Sequence, residues 1–403
     1  MKVSVLLPTR NRLEYLKYAV ETVRRQDYDD WEIVISDNDS TDNIRGWVRS
    51  LRENRIKYVR SERFLAVTDN WNNALDHCTG DFVIMLGDDD GLMKGYFRRA
   101  HELVEQFPTP DLIYTSGYLY AYPGVLPDHP EGLLNHYRNA SFLQTPRDPF
   151  WLPTQQARQL VRDSLNFKMK FTYNMQYSLI GRPLIDDMLA DGRFFQSPFP
   201  DYYATNVMFL KAKRILIDPE PMVAVGITPK SYGFYLFNNR EADGINFLQA
   251  GAPDTSGLPA GHELLPGTNM NNSWLLAMEQ VARNYRLRVG YGRYRRLQIV
   301  HVLRGHVDRT IPDDVYLRVK QSMNLGEKVF YSGGLFLVSV AMRVLSGGPR
   351  RRFRRAVRVL EKWLRASNEW TPPPTRNAYA NMIEVFEGVG AGTADGRPGL
   401  GGS

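Results

Sequence analysis

Asp88-Asp89-Asp90 follow directly on the apolar run Phe82-Val83-Ile84-Met85-Leu86 and Gly87. A run of that length, rich in β-branched and aromatic residues, predicts a strand buried on both faces. Three carboxylates then gather at its carboxyl end, where open α/β sheets bind their ligands. Two carboxylates about 4 Å apart repel by roughly 1 kcal/mol in bulk water, and by more at a partly buried strand end. A hard divalent cation such as Mg²⁺ or Mn²⁺ turns that repulsion into attraction. Alone, the triplet fits equally well a solvated acidic turn in which Asp90 caps the next helix.

Two further polar clusters share the setting, and one more acid joins them from a loop. Pro8-Thr9-Arg10-Asn11-Arg12 follows the apolar Val3–Leu7, and Ser36-Asp37-Asn38-Asp39-Ser40-Thr41-Asp42 closes the run from Trp31. Asp201 follows the loop Phe194–Pro200 and opens an apolar helix. In a parallel sheet the strand-end clusters converge on one rim, and a rim with hydrogen-bonding groups and carboxylates suits a nucleoside diphosphate. The competing reading of Asp37, Asp39 and Ser40 is capping of a helix starting at Thr41, and Asp39 and Ser40 fit it better than Asp37. Arg63, just past a third strand, is placed to reach a phosphate, with a solvated surface arginine as the equal alternative. Asp186-Asp187 rivals Asp201 as an acid–base group but falls inside a helical pattern. No Gly-rich phosphate loop is present, which disfavours P-loop and dinucleotide-binding readings. His129, His136 and His262 lack zinc-ligand spacing.

The elements that must carry these groups alternate in type. Strands are predicted at Val3–Leu7, Trp31–Ser36, Ile56–Val59, Asp81–Leu86 and from Asp111. Helices fall between them: one capped by Asn11, then Thr41–Leu51, Val67–Cys78 and Met93–Phe107. Repeated β-α units imply an α/β fold with a mostly parallel sheet, right-handed crossovers and helices on both faces. From about 118 to 165 the pattern breaks into Pro-, Tyr- and Asn-rich loops, as functional loops do. Helical periodicity returns at Gln155–Asn166, a strand at Asn174–Ile180, and short strands at Arg214–Ile217 and Met222–Val225.

The chain has 403 residues, with 43% hydrophobic and 12% aromatic content, enough for a large core. Cys78 is the single cysteine, excluding an internal disulfide and suiting a reducing cytoplasm. Val3–Leu7 is too short for a signal-peptide core. Leu335–Leu345 is too short and too polar to read as a membrane span. The formal charge of +7 is unevenly placed: Arg283–Arg365 holds about 20 Lys and Arg against about 5 acids. Its run from Arg350 to Leu360, beside an apolar stretch, suits an anionic membrane surface or a helical bundle with a solvated basic face. No nucleic-acid module accompanies the charge.

Taken in order, V-S-V-L-L-P-T-R-N-R, E-I-V-I-S-D-N-D-S-T-D and G-D-F-V-I-M-L-G-D-D-D resemble the family 2 glycosyltransferases of the GT-A fold over about residues 1–245. The resemblance implies a GT-A (Rossmann-like) domain at 1–245, with a donor half to about 117 and an acceptor half from 118. A linker or mobile loop at 246–269, a basic helical region at 270–387 and a disordered tail at 388–403 complete the expected organisation. It implies a metal-dependent, inverting transfer from a nucleoside-diphosphate sugar, a UDP-sugar first, to a glycan or lipid-linked hydroxyl in cell-surface polysaccharide synthesis. Residue by residue, Thr9 and Asn11 would lie near the base and ribose, Asp37 would receive the base edge, and Asp88 would face the ribose. Asp89, with Asp90 in the alternative register created by Gly87, would hold Mn²⁺ or Mg²⁺. Asp201 would be the general base, and Pro229–Gly233 would close as a lid. A cytoplasmic protein in peripheral contact with the inner membrane face is expected. A catalytically silent GT-A nucleotide- or glycan-binding domain and a nucleotidyltransferase are the competing functions.

Overall fold

The computed structural model of the chain describes residues 1–137, 140–144, 148–237, 257–267, 270–331 and 379–389. Ten described strands make one sheet, β1 (Val3–Thr9), β2 (Trp31–Asp37), β3 (Ile56–Arg60), β4 (Phe82–Met85), β5 (Gly91–Leu92), β6 (Leu112–Ala121), β7 (Leu133–Tyr137), β8 (Phe150–Leu152), β9 (Ser178–Gly181) and β10 (Ile215–Ile227). Their spatial order is β3-β2-β1-β4-β9-β6-β10-β5, with β7 on β6 and β8 on β10. The first four strands run parallel, Val3 opposite both Trp31 and Phe82, so Thr9, Asp37 and the turn after Met85 end on the same rim. Every residue of β1 and of β4 is buried, as a strand covered on both faces requires.

Beyond β4 the sheet becomes mixed. β9 joins β4 and β6 antiparallel to both, while β6 and β10 run parallel to each other. The expected pair of short strands at 214–225 is one strand, β10, interrupted by register shifts between Asp218 and Val223. Pro219 and Pro221 lack an N–H for the ladder there, so the pairing slips while the strand continues. The loop-rich stretch from 118 supplies β7 and β8, too short to show periodicity.

The helices α1 (Leu13–Arg24), α2 (Ile44–Ser50), α3 (Val67–Leu75) and α4 (Tyr96–Gln106) cross between the donor-side strands. The α1 cap differs from expectation. Asn11 sits at φ 53°, in the left-handed region, and Arg12 occupies the N-cap position. The first N–H of α1, on Leu13, is taken by Asp42 Oδ2 at 3.0 Å, so the β2 loop caps this helix from outside. α2 starts at Ile44, with Asn43 as cap, rather than at Thr41.

On the acceptor side lie α5 (Thr154–Leu165), α6 (Arg182–Leu189), α7 (Pro200–Lys211) and the short α8 (Tyr232–Phe237). The helices Met270–Tyr285 and Tyr291–Asp308 share one continuous core with them. Trp274 is fully enclosed, its indole N–H donating to the Ser164 carbonyl at 2.9 Å. Burial of a side chain that size contributes about 3 kcal/mol and packs the first of these helices against α7 and α5. The helix Met382–Gly388 returns to pack on α1 and β5, with Met382, Val385 and Phe386 buried. Among the described residues no helix is long and apolar enough to cross a membrane. The basic run 350–360, the apolar stretch 335–345, most of the expected linker and the Gly-rich tail lie outside the described residues.

Candidate active site

A cavity of about 670 Å³ opens on the rim where β1 and β4 end and β10 leaves the sheet. Thr9, Asn11 and the three aspartates line it from the donor side. Asp201, Tyr202 and Tyr173 line it from the acceptor side. Arg63 is exposed and is not part of this wall.

The aspartates are buried, and each is held differently. Asp88 accepts from Thr9 Oγ1 at 2.7 Å through Oδ2 and pairs with Arg12 Nη1 at 2.8 Å through Oδ1. Asp89 Oδ2 takes Arg12 Nη2 at 2.5 Å and Thr228 Oγ1 at 3.2 Å. Asp90 turns inward. Its Oδ2 accepts from the Gly87 N–H at 2.7 Å and from Gln176 Nε2 at 2.5 Å, and its Oδ1 from the Gly226 N–H at 2.8 Å. Burial raises both Asp88 and Asp90 above the usual carboxylate range, with the Asp89 charge adding to it and the bound donors opposing it. Burial works against the charge on Arg12, yet Asp88, Asp89 and Asp90 outweigh it and raise its pKa.

This arrangement does not fit the divalent cation expected at Asp89 and Asp90. Both Asp90 oxygens are engaged by N–H donors, and a guanidinium already bridges Asp88 and Asp89. Among the described residues no three acidic, histidine or cysteine side chains converge as metal ligands do. The cap alternative for Asp90 is not seen either: α4 begins at Tyr96, with Gly95 as its N-cap.

Asp37 has no exposed surface. Its carboxylate accepts from the Ser40 N–H at 2.9 Å and Tyr58 Oη at 2.5 Å, with Arg60 Nη1 at 3.3 Å. Its neighbour Asn38 lines the cavity, and Asn38 in turn fixes the 61–65 loop through Leu65. That loop presents Phe64, stacked under the Arg10 guanidinium at 4.1 Å, and α3 adds Asn70 and Trp71 to the same wall. An aromatic and amide-lined slot of this kind accepts a planar heterocycle.

Asp201 lies in the first turn of α7, whose N-cap is Phe199, so it is not the capping residue. Its Oδ1 accepts the Tyr202 N–H at 2.9 Å. Tyr173 and Tyr202 meet edge to face at 4.4 Å beside it. Desolvation among these rings pushes the Asp201 carboxyl up to about 7. Asp186 and Asp187 are exposed on α6, away from the cavity.

Sequence reasoning quoted Arg12 within a motif without giving it a role. Thr228, Gln176 and Gly226 were also missed. A glycine inside the strand pattern Val223-Ala224-Val225-Gly226 is a signal of close backbone approach, and it was available. A Cβ at Gly226 would lie 1.9 Å from the Asp89 carbonyl oxygen.

The parallel 3-2-1-4 half-sheet, the antiparallel return through β9 and the carboxylate-lined rim cavity are those of a GT-A fold. Residues 4–149 match the family described as Glycosyl transferase family 2. A GalNAc(5)-diNAcBac-PP-undecaprenol beta-1,3-glucosyltransferase of Campylobacter jejuni is 39% identical over 97 residues, 23% of this chain and 31% of that protein. The UDP-Glc:alpha-D-GlcNAc-diphosphoundecaprenol beta-1,3-glucosyltransferase WfgD of Escherichia coli is 32% identical over 88 residues, 22% of this chain and 35% of that protein. The chain thus spans about a third of the length of these curated relatives. S. aureus TarS 1-349 in complex with UDP-GlcNAc aligns over 92% of this chain and 93% of its own, at 15% identity and a TM-score of 0.45.

Proposed function

We propose that the chain is an inverting glycosyltransferase. It moves a sugar from a nucleoside-diphosphate sugar, a UDP-sugar first, to a hydroxyl of a lipid-linked glycan in cell-surface polysaccharide assembly. The observation that carries the reading is the position of Asp201. A carboxylate raised to about 7 shares one cavity with the Thr9, Asn11 and Asp88 cluster and with the Phe64 and Trp71 slot.

The base enters the part of the cavity lined by Phe64 and Trp71, whose wall Asn38 and Asn70 complete. Thr9, Asn11 and Asp88 border the ribose and diphosphate. Asp37 acts one step back, holding the loop that carries Asn38. Asp201 takes the proton of the acceptor hydroxyl as its oxygen attacks the anomeric carbon. The bond from that carbon to the leaving phosphate oxygen breaks on the far face, and the nucleoside diphosphate departs. Tyr173, Tyr202 and Tyr232 give the acceptor an aromatic floor of the kind a sugar ring stacks on. Pro229–Gly233, whose turn is closed by the Thr228 N–H donating to Ser231 Oγ at 2.8 Å, is the proposed lid. The relatives' undecaprenol-linked acceptors support a lipid-linked one here and peripheral contact with a membrane.

The test is release of nucleoside diphosphate and transfer of sugar across a panel of nucleotide sugars, with an undecaprenyl-diphosphate-linked sugar as acceptor. Asp201→Asn should bind donor and lose transfer. A wild-type protein that binds UDP and transfers nothing would instead mark a silent binding domain, and release of pyrophosphate a nucleotidyltransferase.

A further inference from the structure

The carboxylate pair that begins the aspartate triplet already has a cation. Arg12 spans it with Nη1 on Asp88 at 2.8 Å and Nη2 on Asp89 at 2.5 Å. The same Nη2 donates to Thr228 Oγ1 at 2.6 Å, tying the start of the 228–237 segment to this pair. A divalent ion bridging Asp88 and Asp89 would compete with the guanidinium for Asp88 Oδ1 and Asp89 Oδ2, and would add two positive charges beside a third. Two like charges at contact distance in a buried site repel far more than in water. Arg12 is also incomplete. Its Nε is buried, has no hydrogen-bond partner among the described residues, and belongs to a side chain that lines the cavity. A buried guanidinium N–H without a partner is costly, and a phosphate oxygen is a partner whose geometry suits it.

We infer that Arg12 is the resident counter-cation of Asp88 and Asp89, excluding a free divalent cation from that pair, and that its unpartnered Nε is the donor for a phosphate oxygen of the ligand. The second half rests on the donor reading of the cavity, whereas the first does not. Arg12 is in this sense a positioning residue for the carboxylates and a binding residue for the diphosphate.

The two halves separate experimentally. Mn²⁺ titrated alone, with free ion read by electron paramagnetic resonance, should bind Arg12→Gln at least about tenfold tighter than wild type, because the two carboxylates lose the guanidinium that bridges them. Melting temperature gives a second readout. Arg12→Gln should melt below wild type in metal-free buffer and recover with Mn²⁺, while wild type does not move. Arg12→Lys keeps one charge but cannot fork across both carboxylates and should fall between them. Equal Mn²⁺ affinity in wild type and Arg12→Gln overturns the counter-cation. If circular dichroism shows Arg12→Gln unfolded, Arg12→Lys decides, and equality with wild type overturns it. For the second half, UDP titrated in EDTA should bind wild type at least about tenfold tighter than Arg12→Gln, the loss expected for one charge-assisted bond. Equal binding, or wild-type binding of UDP only with Mn²⁺, overturns that half. Failure of UDP to bind any form in either buffer overturns both the donor reading and the second half, and the Mn²⁺ comparison still judges the first.

Discussion

The backbone N–H of Gly226 donates to Asp90 Oδ1 at 2.8 Å, pinning the turn after β4 to the strand β10 that lies two sheet positions beyond β9. The contact leaves no room for a side chain: a Cβ at Gly226 would meet the Asp89 carbonyl oxygen at 1.9 Å. Gly226→Ala must therefore push the turn away from β10. Overpacking of this kind costs about 1–3 kcal/mol. A lower urea midpoint at unchanged m-value, with weaker UDP binding, is the expected result. Unchanged stability would show that the turn and strand are less tightly joined than the contact implies.

Asp90 is the second test of the same joint. Its two oxygens accept from Gly87, Gly226 and Gln176, all donors. In Asp90→Asn one acceptor becomes an NH₂ group facing donors, and a buried donor left unmatched costs roughly 1–3 kcal/mol. The variant should lose melting temperature in the ligand-free protein, before any cation or nucleotide is added. An Asp90 that served mainly as a metal ligand would give the opposite pattern, unaltered stability with impaired ion binding.

The donor half was legible in the sequence because its strands are continuous apolar runs and its helices carry apolar faces at three- and four-residue steps. Val3–Leu7, Trp31–Ser36 and Asp81–Leu86 lie within one residue of β1, β2 and β4 at every boundary except the end of β1, which runs two residues further. The acceptor half was less legible because β7, β8 and β9 are short, and β8 and β9 pair with strands remote in sequence. Within the site, residue types marked the rim, but not the direction of each carboxylate. Whether Asp90 faces the cavity or Gln176 depends on β9 and β10 arriving beside it. The family resemblance gave Asp37 the base edge as its expected partner. Tyr58 and Arg60, on the neighbouring β3, are what engage it.

Trp274 reports whether the helices after 270 are an appendage or part of the catalytic half. Its ring lies 5.1 Å from Tyr202 and 5.9 Å from Tyr173, the residues flanking Asp201. Trp274→Ala removes a fully buried ring, for which about 3–5 kcal/mol is typical. Thermal unfolding should stay a single transition at a lower temperature, and the affinity for the acceptor should fall more than that for UDP. Two separate transitions would mean that the C-terminal helices fold as an independent unit.

Asp201 sets opposite demands on activity and stability. Its folded pKa of about 7 lies above the ordinary carboxylate value, so between about pH 4 and pH 7 the folded chain binds a proton that the unfolded chain releases. Stability from this group is therefore full at acid pH and is lost as pH rises through 7. A general base must be ionised, so turnover should rise over the interval in which that stability is lost, with an inflection near 7. Asp201→Asn removes both effects. Its transfer rate should drop by about 10²–10⁴-fold and lose the inflection. At pH 8 it should unfold at higher denaturant than wild type, by roughly 1–2 kcal/mol once access of solvent to the cavity is allowed for, and this gain should vanish near pH 4. A variant that is inactive but gains nothing at pH 8 would show that Asp201 titrates as an ordinary carboxylate. The rate inflection would then belong to another group on the rim.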